Sequence, residues 1–260
     1  MYLLYCIFHG SEVQRQATLP GVGGQPVFPV AINGISAAVS EIRDAHLPPD
    51  VPRVMAYKKV IESFHSDRTV IPMRYGCVLR DRPQVIQLLK RNARRYESLL
   101  KDLDGCVEMG IRLMIDDCGL SIKGLKNREI NAEIRNSKLK TSGRAYLAAR
   151  KEHYAQEECI TEAKNEIAEQ FRAALTGLFV KCKVETPPMP NRQSSMLSLY
   201  FLVPGKSIDP FRQVFRNMRR RMVTTKLLLS GPWPPYNFVL PDNERRRPGL
   251  QDEEAKERQP

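Results

Sequence analysis

The sequence predicts an α+β fold divided into two domains. Apolar runs with the period of a strand alternate with apolar runs that have the period of a helix, which is typical of sheets covered by helices. A polar, basic stretch interrupts this pattern near the middle of the chain. The length of 260 residues exceeds the roughly 100–150 residues of an ordinary domain, so we expect two hydrophobic cores.

The first half of the chain is predicted to form strands covered by two helices. The strand-like runs occupy residues 1–8, 27–30, 35–42, 69–79 and 107–115. An Asn-Gly pair at 33–34 predicts a hairpin between the second and third of them, and Pro72 confines the fourth to a sheet edge or interrupts it. Helical periodicity begins after Pro52, which suits a first helical turn, and again from Pro83. The predicted N-terminal domain covers residues 1–118.

The second half is predicted to combine a long helix with a small sheet. Residues 119–142 are polar and basic and are interpreted as a linker or loop. From Gly143 to about Phe179 the chain has no proline, and its apolar residues recur at helical intervals. A helix of that length extends roughly 50 Å at 1.5 Å per residue, so part of it should pack on another helix or on a partner.

Shorter elements complete the predicted C-terminal domain, residues 143–241. Strands are expected at 180–186 and 196–204, and a last strand begins at Leu227. A helix is expected to start at Asp209 as N-cap, with Pro210 in its first position. Residues 242–260 are polar with nearly balanced charge, which predicts a disordered tail.

The charge balance is the one unusual feature of the composition. Lysine and arginine number 41 against 29 aspartates and glutamates, a net charge of +12. No apolar run approaches the roughly 20 residues of a membrane span, and the apolar N-terminus has no basic residue ahead of it, so no signal peptide is predicted. The six cysteines form no C-x-x-C pair, which predicts reduced, structural thiols in a cytoplasmic chain.

Sequence signatures of enzymes and metal sites are not found. The glycine-rich segment 21–24 lacks the Lys-Ser/Thr of a phosphate loop and is followed by Pro26, so a turn is the simpler interpretation. The four histidines show no metal-binding spacing, and no Gly-x-Ser-x-Gly occurs. The sequence therefore predicts no enzyme, no cofactor, no metal ligands and no catalytic residues.

A cluster of arginines supports two interpretations. Arg216, Arg219, Arg220 and Arg221 lie on one predicted helix, with Lys226 just beyond. Such an array can neutralise phosphates and bind nucleic acid. It can equally be a solvated helix face, since no recognisable nucleic-acid module or aromatic platform accompanies it.

Four short segments of the sequence are distinctive: Thr69–Gly76, Gly105–Arg112, Gly143–Leu147 and Leu229–Phe238. The last, with its Gly-Pro-Trp-Pro-Pro-Tyr-x-Phe element, is the most specific. Together they resemble the recurrent motifs of the gas vesicle protein GvpF/GvpL family, in the family's order over residues 1 to about 240. The resemblance does not separate the GvpF and GvpL branches.

This resemblance implies a ferredoxin-like N-terminal domain and a C-terminal domain of long helices with a small antiparallel sheet. It also implies an accessory or minor structural protein of the gas vesicle, located with the vesicle in the cytoplasm. Such a protein would act in nucleation or assembly by binding the apolar shell protein GvpA and other accessory proteins. The oligomeric state stays open, and the strong positive balance is not a feature associated with the family.

Several residues are candidates for partner binding or for contacts between domains. Trp233 between two prolines is expected to be a packing residue or a binding hot spot, and Arg74 is expected to form a salt bridge between domains. The long helix and the basic helix around Arg219 are two candidate surfaces. The full set of candidates is Arg74, Tyr75, Tyr146, Arg216, Arg219, Arg220, Trp233 and Tyr236.

Overall fold

A computed structural model describes residues 1–10, 19–44, 47–116, 161–187, 194–222 and 226–239. These residues form helices and strands in a mixed helix and antiparallel sheet architecture, as the sequence predicted. The strands are β1 (Tyr2–His9), β2 (Val27–Ile32), β3 (Ile35–Glu41), β4 (Val70–Pro72), β5 (Val78–Leu79), β6 (Cys106–Asp116), β7 (Lys181–Glu185), β8 (Ser194–Pro204) and β9 (Lys226–Trp233). The helices are α1 (Val51–Asp67), α2 (Arg82–Asp102), α3 (described over 161–174) and α4 (Ile208–Arg221).

The chain divides into two compact units. Unit 1 consists of Met1–Met109, Leu202–Gly205 and Gly231–Pro260, and unit 2 consists of Gly110–Phe201 and Lys206–Ser230. Unit 1 is therefore assembled from segments that lie far apart in the sequence. The domain boundaries predicted at residues 118 and 143 stay predictions.

The sheet of unit 1 has β1 at its centre. Its strand order is β2-β3-β1-β4, with β5 also paired to β1, and every pairing is antiparallel. The predicted hairpin joins β2 to β3, and Asn33 and Gly34 both have positive φ, at 49° and 81°. Positive φ at both central residues is what a tight hairpin turn requires, which is why Asn-Gly favours this turn.

The connections in unit 1 match part of a ferredoxin-like pattern. Helix α1 lies between β3 and β4, as one helix of a β-α-β-β-α-β unit would. Between β1 and β2, the described residues contain a 3₁₀ turn at Val22–Gly24 where that pattern has a helix. Pro72 ends the short strand β4, so the prediction that it interrupts the extended segment is confirmed.

Both faces of β1 are buried. Every residue from Leu3 to Phe8 has an exposed fraction of 0%. On one side β1 contributes to a cluster with the buried residues of α1, namely Tyr57, Val60, Ile61 and Phe64. Helix α2 contacts β1, β2, β3 and β4. A central strand with helices packed against it explains why β1 is apolar throughout instead of alternating.

The first turns of α1 and α2 are capped by aspartates. The carboxylate of Asp50 accepts the backbone N–H of Arg53 at 2.8 Å, and that of Asp81 accepts the backbone N–H of Gln84 at 2.9 Å. Each helix also has a proline in its first turn. Because aspartate caps satisfy N–H groups that have no partner within the helix, both helix starts are specified locally by sequence.

Unit 2 contains most of a second sheet, of strand order β7-β8-β6-β9. Phe201 of β8 contacts Phe211 of α4, with ring centroids 5.4 Å apart, and Phe179 at 5.0 Å. Phe171 of α3 and Phe215 of α4 are buried as well. The contact between Phe201 and Phe211 packs α4 against β8 in unit 2.

Two predicted helix boundaries are wrong. The long helix was expected to reach about Phe179, but its described part ends at residue 174 because the chain turns at 175–177, with Gly177 at a φ of 81°. Asp209 is not the N-cap of α4. A 3₁₀ turn at Gly205–Ser207 leads directly into the helix, so Ser207 takes the cap position. Asp209 lies in the first turn, where it pairs with Arg212 at 3.4 Å.

Several predictions fall outside the described residues. They concern the start of the long helix at 143–160, the linker at 119–142, Tyr146 and the tail at 242–260. Among the described helices, none is long and apolar enough to cross a bilayer.

We expect His65 to make the stability of unit 1 sensitive to acid. Both of its ring nitrogens are buried, and neither has a hydrogen-bond partner in the part of the chain that the structure describes. Burial lowers the pKa of His65 below its usual value of 6.5. The unfolded chain therefore binds a proton more readily than the native one, and the free energy of unfolding should fall as the pH drops below about 6.5.

We expect His65→Leu to flatten the dependence of the free energy of unfolding on pH between about pH 7 and pH 5. Urea unfolding at several pH values measures this slope. His9→Gln, at the exposed end of β1, is the matched control and should keep the slope of the wild type. Equal slopes for His65→Leu and wild type would contradict the prediction.

Candidate functional site

The end of β9 lies against β6 at a distance that only glycine allows. Gly231 has a φ of 106°, and a Cβ placed on it would lie 2.6 Å from the carbonyl oxygen of Glu108 and 3.1 Å from the sulfur of Met109. Both the backbone angle and the close approach exclude a larger side chain. The glycine of the Gly-Pro-Trp-Pro-Pro-Tyr element is therefore explained by packing inside unit 1.

The residues that follow this element are tied to β6 by a buried carboxylate. Glu108 has an exposed fraction of 4%. One of its carboxylate oxygens accepts the backbone N–H of Asn237 at 2.7 Å, and the other accepts the side-chain amide of Asn237 at 2.6 Å. We call this pair the Glu108–Asn237 clamp. Hydrogen bonds to a charged group are among the stronger ones, so the clamp joins the motif segments Gly105–Arg112 and Leu229–Phe238.

The motif segment Thr69–Gly76 is joined to the hydrophobic core of unit 1 through Tyr57. The Tyr57 hydroxyl lies 2.7 Å from the carbonyl oxygen of Leu4 and 2.9 Å from that of Arg74, and its single proton is shared between these two acceptors. Its ring contacts Tyr75 edge-on with centroids 5.3 Å apart, and both Tyr75 and Tyr236 pack against the cluster that contains Tyr57. Burial raises the pKa of Tyr57 well above its usual value of 10. The neutral phenol is therefore kept as a donor.

Trp233 is held in place within unit 1. It is partly buried, and the Lys58 ammonium lies 4.1 Å from its ring centroid, while Lys58 also pairs with Glu62 at 3.3 Å. Pro234 and Pro235 beside it are buried. These contacts support the packing interpretation of Trp233.

The side chain of Arg74 is exposed. It forms no ion pair with any residue that the structure describes, and its contact with Tyr57 runs through its backbone carbonyl. The expected salt bridge of Arg74 stays a prediction, as do the partner-binding roles of Tyr75, Trp233 and Tyr236.

The predicted arginine cluster lies on the exposed surface of α4. Arg216, Arg219 and Arg220 are exposed, and their spacing of three and four residues places them on one side of the helix. Arg216 donates to the side-chain oxygen of Gln213 at 2.6 Å. Within the described ranges, Arg219 and Arg220 have no carboxylate at ion-pair distance.

A groove of about 540 Å³ is lined in part by Arg219, and all of its described lining residues belong to unit 2. We call it the methionine groove. The described apolar residues of its lining are Met114, Met196, Met222, Leu227 and Leu228. Its basic lining consists of Arg112, Arg219 and Lys226. Met114 and Leu228 are 40% and 59% exposed, so apolar surface is open to solvent beside three cations.

Sequence reasoning found the arginines but missed the groove beside them. Met114 lies near the end of one strand, Met196 near the start of another and Met222 directly after a helix, so no local pattern connects them. The burial of Glu108 was not predicted either. A carboxylate whose immediate neighbours in the sequence are apolar, as in Val107-Glu108-Met109, is a usable signal, because a buried carboxylate needs hydrogen-bond donors.

The described residues thus define a class of protein in which the motif residues make internal contacts, while apolar and basic surfaces suited to macromolecular contacts are exposed. No group of three or more His, Cys, Asp or Glu residues in the described ranges is placed to hold a metal ion. Cys6, Cys77, Cys106 and Cys182 are free thiols.

Comparison with known proteins assigns a family. The family model described as gas vesicle synthesis protein GvpL/GvpF matches residues 1–240, so the chain belongs to this family. Members of the family are structural or accessory proteins and are not known as enzymes. Membership supports a function related to gas vesicles.

Related proteins come from both branches of the family. Gas vesicle protein F of a Streptomyces species is 24% identical over 242 residues, covering 91% of this chain and 98% of its own length. Gas vesicle protein L1 of Halobacterium salinarum is 23% identical over 252 residues, covering 91% of this chain and 89% of its own length.

Two solved structures share the fold. The crystal structure of GvpF from an Anabaena species has a TM-score of 0.74 at 21% identity, over 92% of this chain and 96% of that one. The crystal structure of GvpF from Microcystis aeruginosa has a TM-score of 0.75 at 18% identity, over 92% and 99%.

The Glu108–Asn237 clamp should be important for stability. In Glu108→Gln, one carboxylate oxygen becomes an NH₂ group that faces an N–H donor of Asn237. We expect the free energy of unfolding to fall by about 1–3 kcal/mol, because a buried donor loses its acceptor. Urea unfolding at neutral pH measures the change. Glu166→Gln, at an exposed position of α3, should change it by less than about 0.5 kcal/mol, and a similar loss in both variants would contradict the prediction.

Trp233 offers a test of packing against partner contact. We expect Trp233→Ala to lower the free energy of unfolding by about 1–3 kcal/mol, because the side chain is partly buried and covered by Lys58. Trp233→Phe retains a ring beneath the ammonium of Lys58, so its free energy of unfolding should fall by less. A fully stable Trp233→Ala protein that no longer supports vesicle formation would favour a binding role instead.

Proposed function

We propose that this protein is an accessory or minor structural protein of gas vesicles, and that it acts in nucleation and assembly by binding the shell protein GvpA and other accessory proteins. The observation that carries the proposal is the match of the GvpL/GvpF family model to residues 1–240. The proposal also locates the protein with the vesicle in the cytoplasm. It involves no catalysis and no cofactor.

The physics of a gas-filled shell supports this role. The inner face of such a shell must be apolar, so its subunits expose apolar surface before they assemble and would aggregate without a partner. A binding protein can cover that surface by helix-in-groove packing or by strand addition. Exposed apolar residues of the present chain include Val51, Val54 and Met55 at the start of α1, and Met114 and Leu228 in the methionine groove.

A nucleic-acid-binding module is the second candidate. It is favoured by the exposed arginines of α4, whose charge is incompletely balanced by described carboxylates. Against it, the described residues that line the methionine groove are largely apolar and include no aromatic residue on which a base would stack. Salt-dependent binding to random DNA fragments at physiological ionic strength would promote this second candidate.

The assembly role is tested by deleting the gene in a host that carries no second member of the family. We expect buoyant vesicles to be lost, and to return when the wild-type chain or the surface control Arg94→Glu is supplied. Intact, buoyant vesicles in the deletion strain would contradict a required role in assembly. Washing the vesicles and probing for the protein then separates a retained structural component from a transient assembly factor.

A further inference from the structure

We propose that the methionine groove of unit 2 binds an amphipathic helix whose apolar stripe is flanked by acidic side chains. The inference rests on the proposed function only for the expectation that this helix belongs to another gas vesicle component. The described residues that line the groove, with their charges and their exposure, all belong to unit 2.

The apolar lining is suited to a helix stripe. Three methionines supply most of it, and Leu228 projects beside them with more than half of its surface exposed. Methionine has three rotatable side-chain bonds and a polarisable sulfur, so it adapts to irregular apolar partners. Exposed apolar surface next to polar groups is typical of interaction sites.

The charges around this lining select an acidic partner. Arg112, Arg219 and Lys226 border the groove, and no carboxylate of the described residues lies at ion-pair distance from them. Arg216 and Arg220 extend the positive surface along α4, where they form a depression together with Arg219. A partner that places carboxylates beside an apolar stripe would therefore match the groove in both properties, and charge complementarity also speeds association.

The geometry favours a helical occupant. Arg216, Arg219 and Arg220 follow the three-and-four spacing of a helix face, so a helix lying beside α4 can present acidic residues at the same intervals. Helix-in-groove recognition uses apolar anchors with that spacing. The volume of about 540 Å³ lies in the range that holds a ligand of several apolar groups.

Nucleic acid fits the groove less well. The cations would attract a phosphate backbone, but covering methionine and leucine side chains would add nothing to its binding free energy. The five apolar residues of the lining include no aromatic side chain for stacking. The test therefore includes DNA as a competitor.

The probes are two synthetic helical peptides with the same leucine and methionine stripe at positions i, i+3, i+4 and i+7. One carries glutamate on both flanks of the stripe, and the other carries lysine at the same positions. We expect the full-length protein to bind the glutamate peptide at least tenfold more tightly, as measured by fluorescence anisotropy. Raising the salt from about 0.1 M to 1 M should weaken this binding, since the screening length falls from about 10 Å to 3 Å.

Two variants locate the binding surface. The triple variant Arg112→Glu, Arg219→Glu, Lys226→Glu and the single variant Met114→Asp should each bind the glutamate peptide at least tenfold more weakly. Arg94→Glu, on the exposed surface of α2, is the matched control and should bind as the wild type does. Unchanged far-UV circular dichroism and unfolding midpoints show that the variants remain folded, and the comparison of the two peptides needs no variant at all.

The results that overturn the groove proposal differ from those that overturn the assembly role. Equal binding of both peptides overturns it, as does wild-type affinity in the triple variant. A third peptide keeps the glutamates and replaces the apolar stripe with serine. If it binds as tightly as the glutamate peptide and random DNA competes fully, the surface is a polyanion site and the groove proposal is overturned. If the protein restores vesicles but binds neither peptide, the groove proposal is overturned while the assembly role is supported. Groove-dependent peptide binding with normal vesicles in the deletion strain supports the groove and contradicts a required assembly role.

Discussion

The buried carboxylate of Glu108 constrains the last described segment of unit 1. A charge with 4% of its surface exposed is stable in a protein interior only when its oxygens are hydrogen-bonded. Asn237 supplies one donor to each oxygen, which fixes the residues that follow β9 against β6. The close approach at Gly231 brings the two segments within reach, so the glycine and the clamp depend on each other.

Several residues of the family motifs therefore have internal structural roles. Tyr57 joins the carbonyl groups of Leu4 and Arg74, and Lys58 covers Trp233. A motif can recur in a family because it holds a fold together, without touching a partner. The surface that is open for contacts in unit 2 lies elsewhere, at the methionine groove, whose apolar residues fall outside the most specific motif.

Part of the positive net charge of +12 is located at this groove. A charge total describes solubility and general attraction to acidic partners. The structure places three cations beside exposed methionine and leucine side chains, and that combination favours an acidic, amphipathic protein segment over a nucleic acid.

The sequence alone determined the elements whose causes are local. The Asn-Gly pair at 33–34 specifies the hairpin because it tolerates two positive φ angles, and apolar periodicity specifies α1 and α2 because one face of each is buried. The family resemblance was also readable, from four short segments, and the family match confirms it. Where local signals competed, as at Asp209, the sequence misplaced the helix start, because a preceding 3₁₀ turn continued into α4.

Tertiary structure alone decided which residues meet. Glu108 and Asn237 are 129 positions apart, and no periodicity within either segment indicates that they pair. The three methionines of the groove come from β6, β8 and the end of α4, so their common surface exists only once the sheet and α4 have packed together. Burial and proximity are properties of the folded chain. That is why the sequence showed where the positive charge lies along the chain, while only the structure showed the apolar surface beside it.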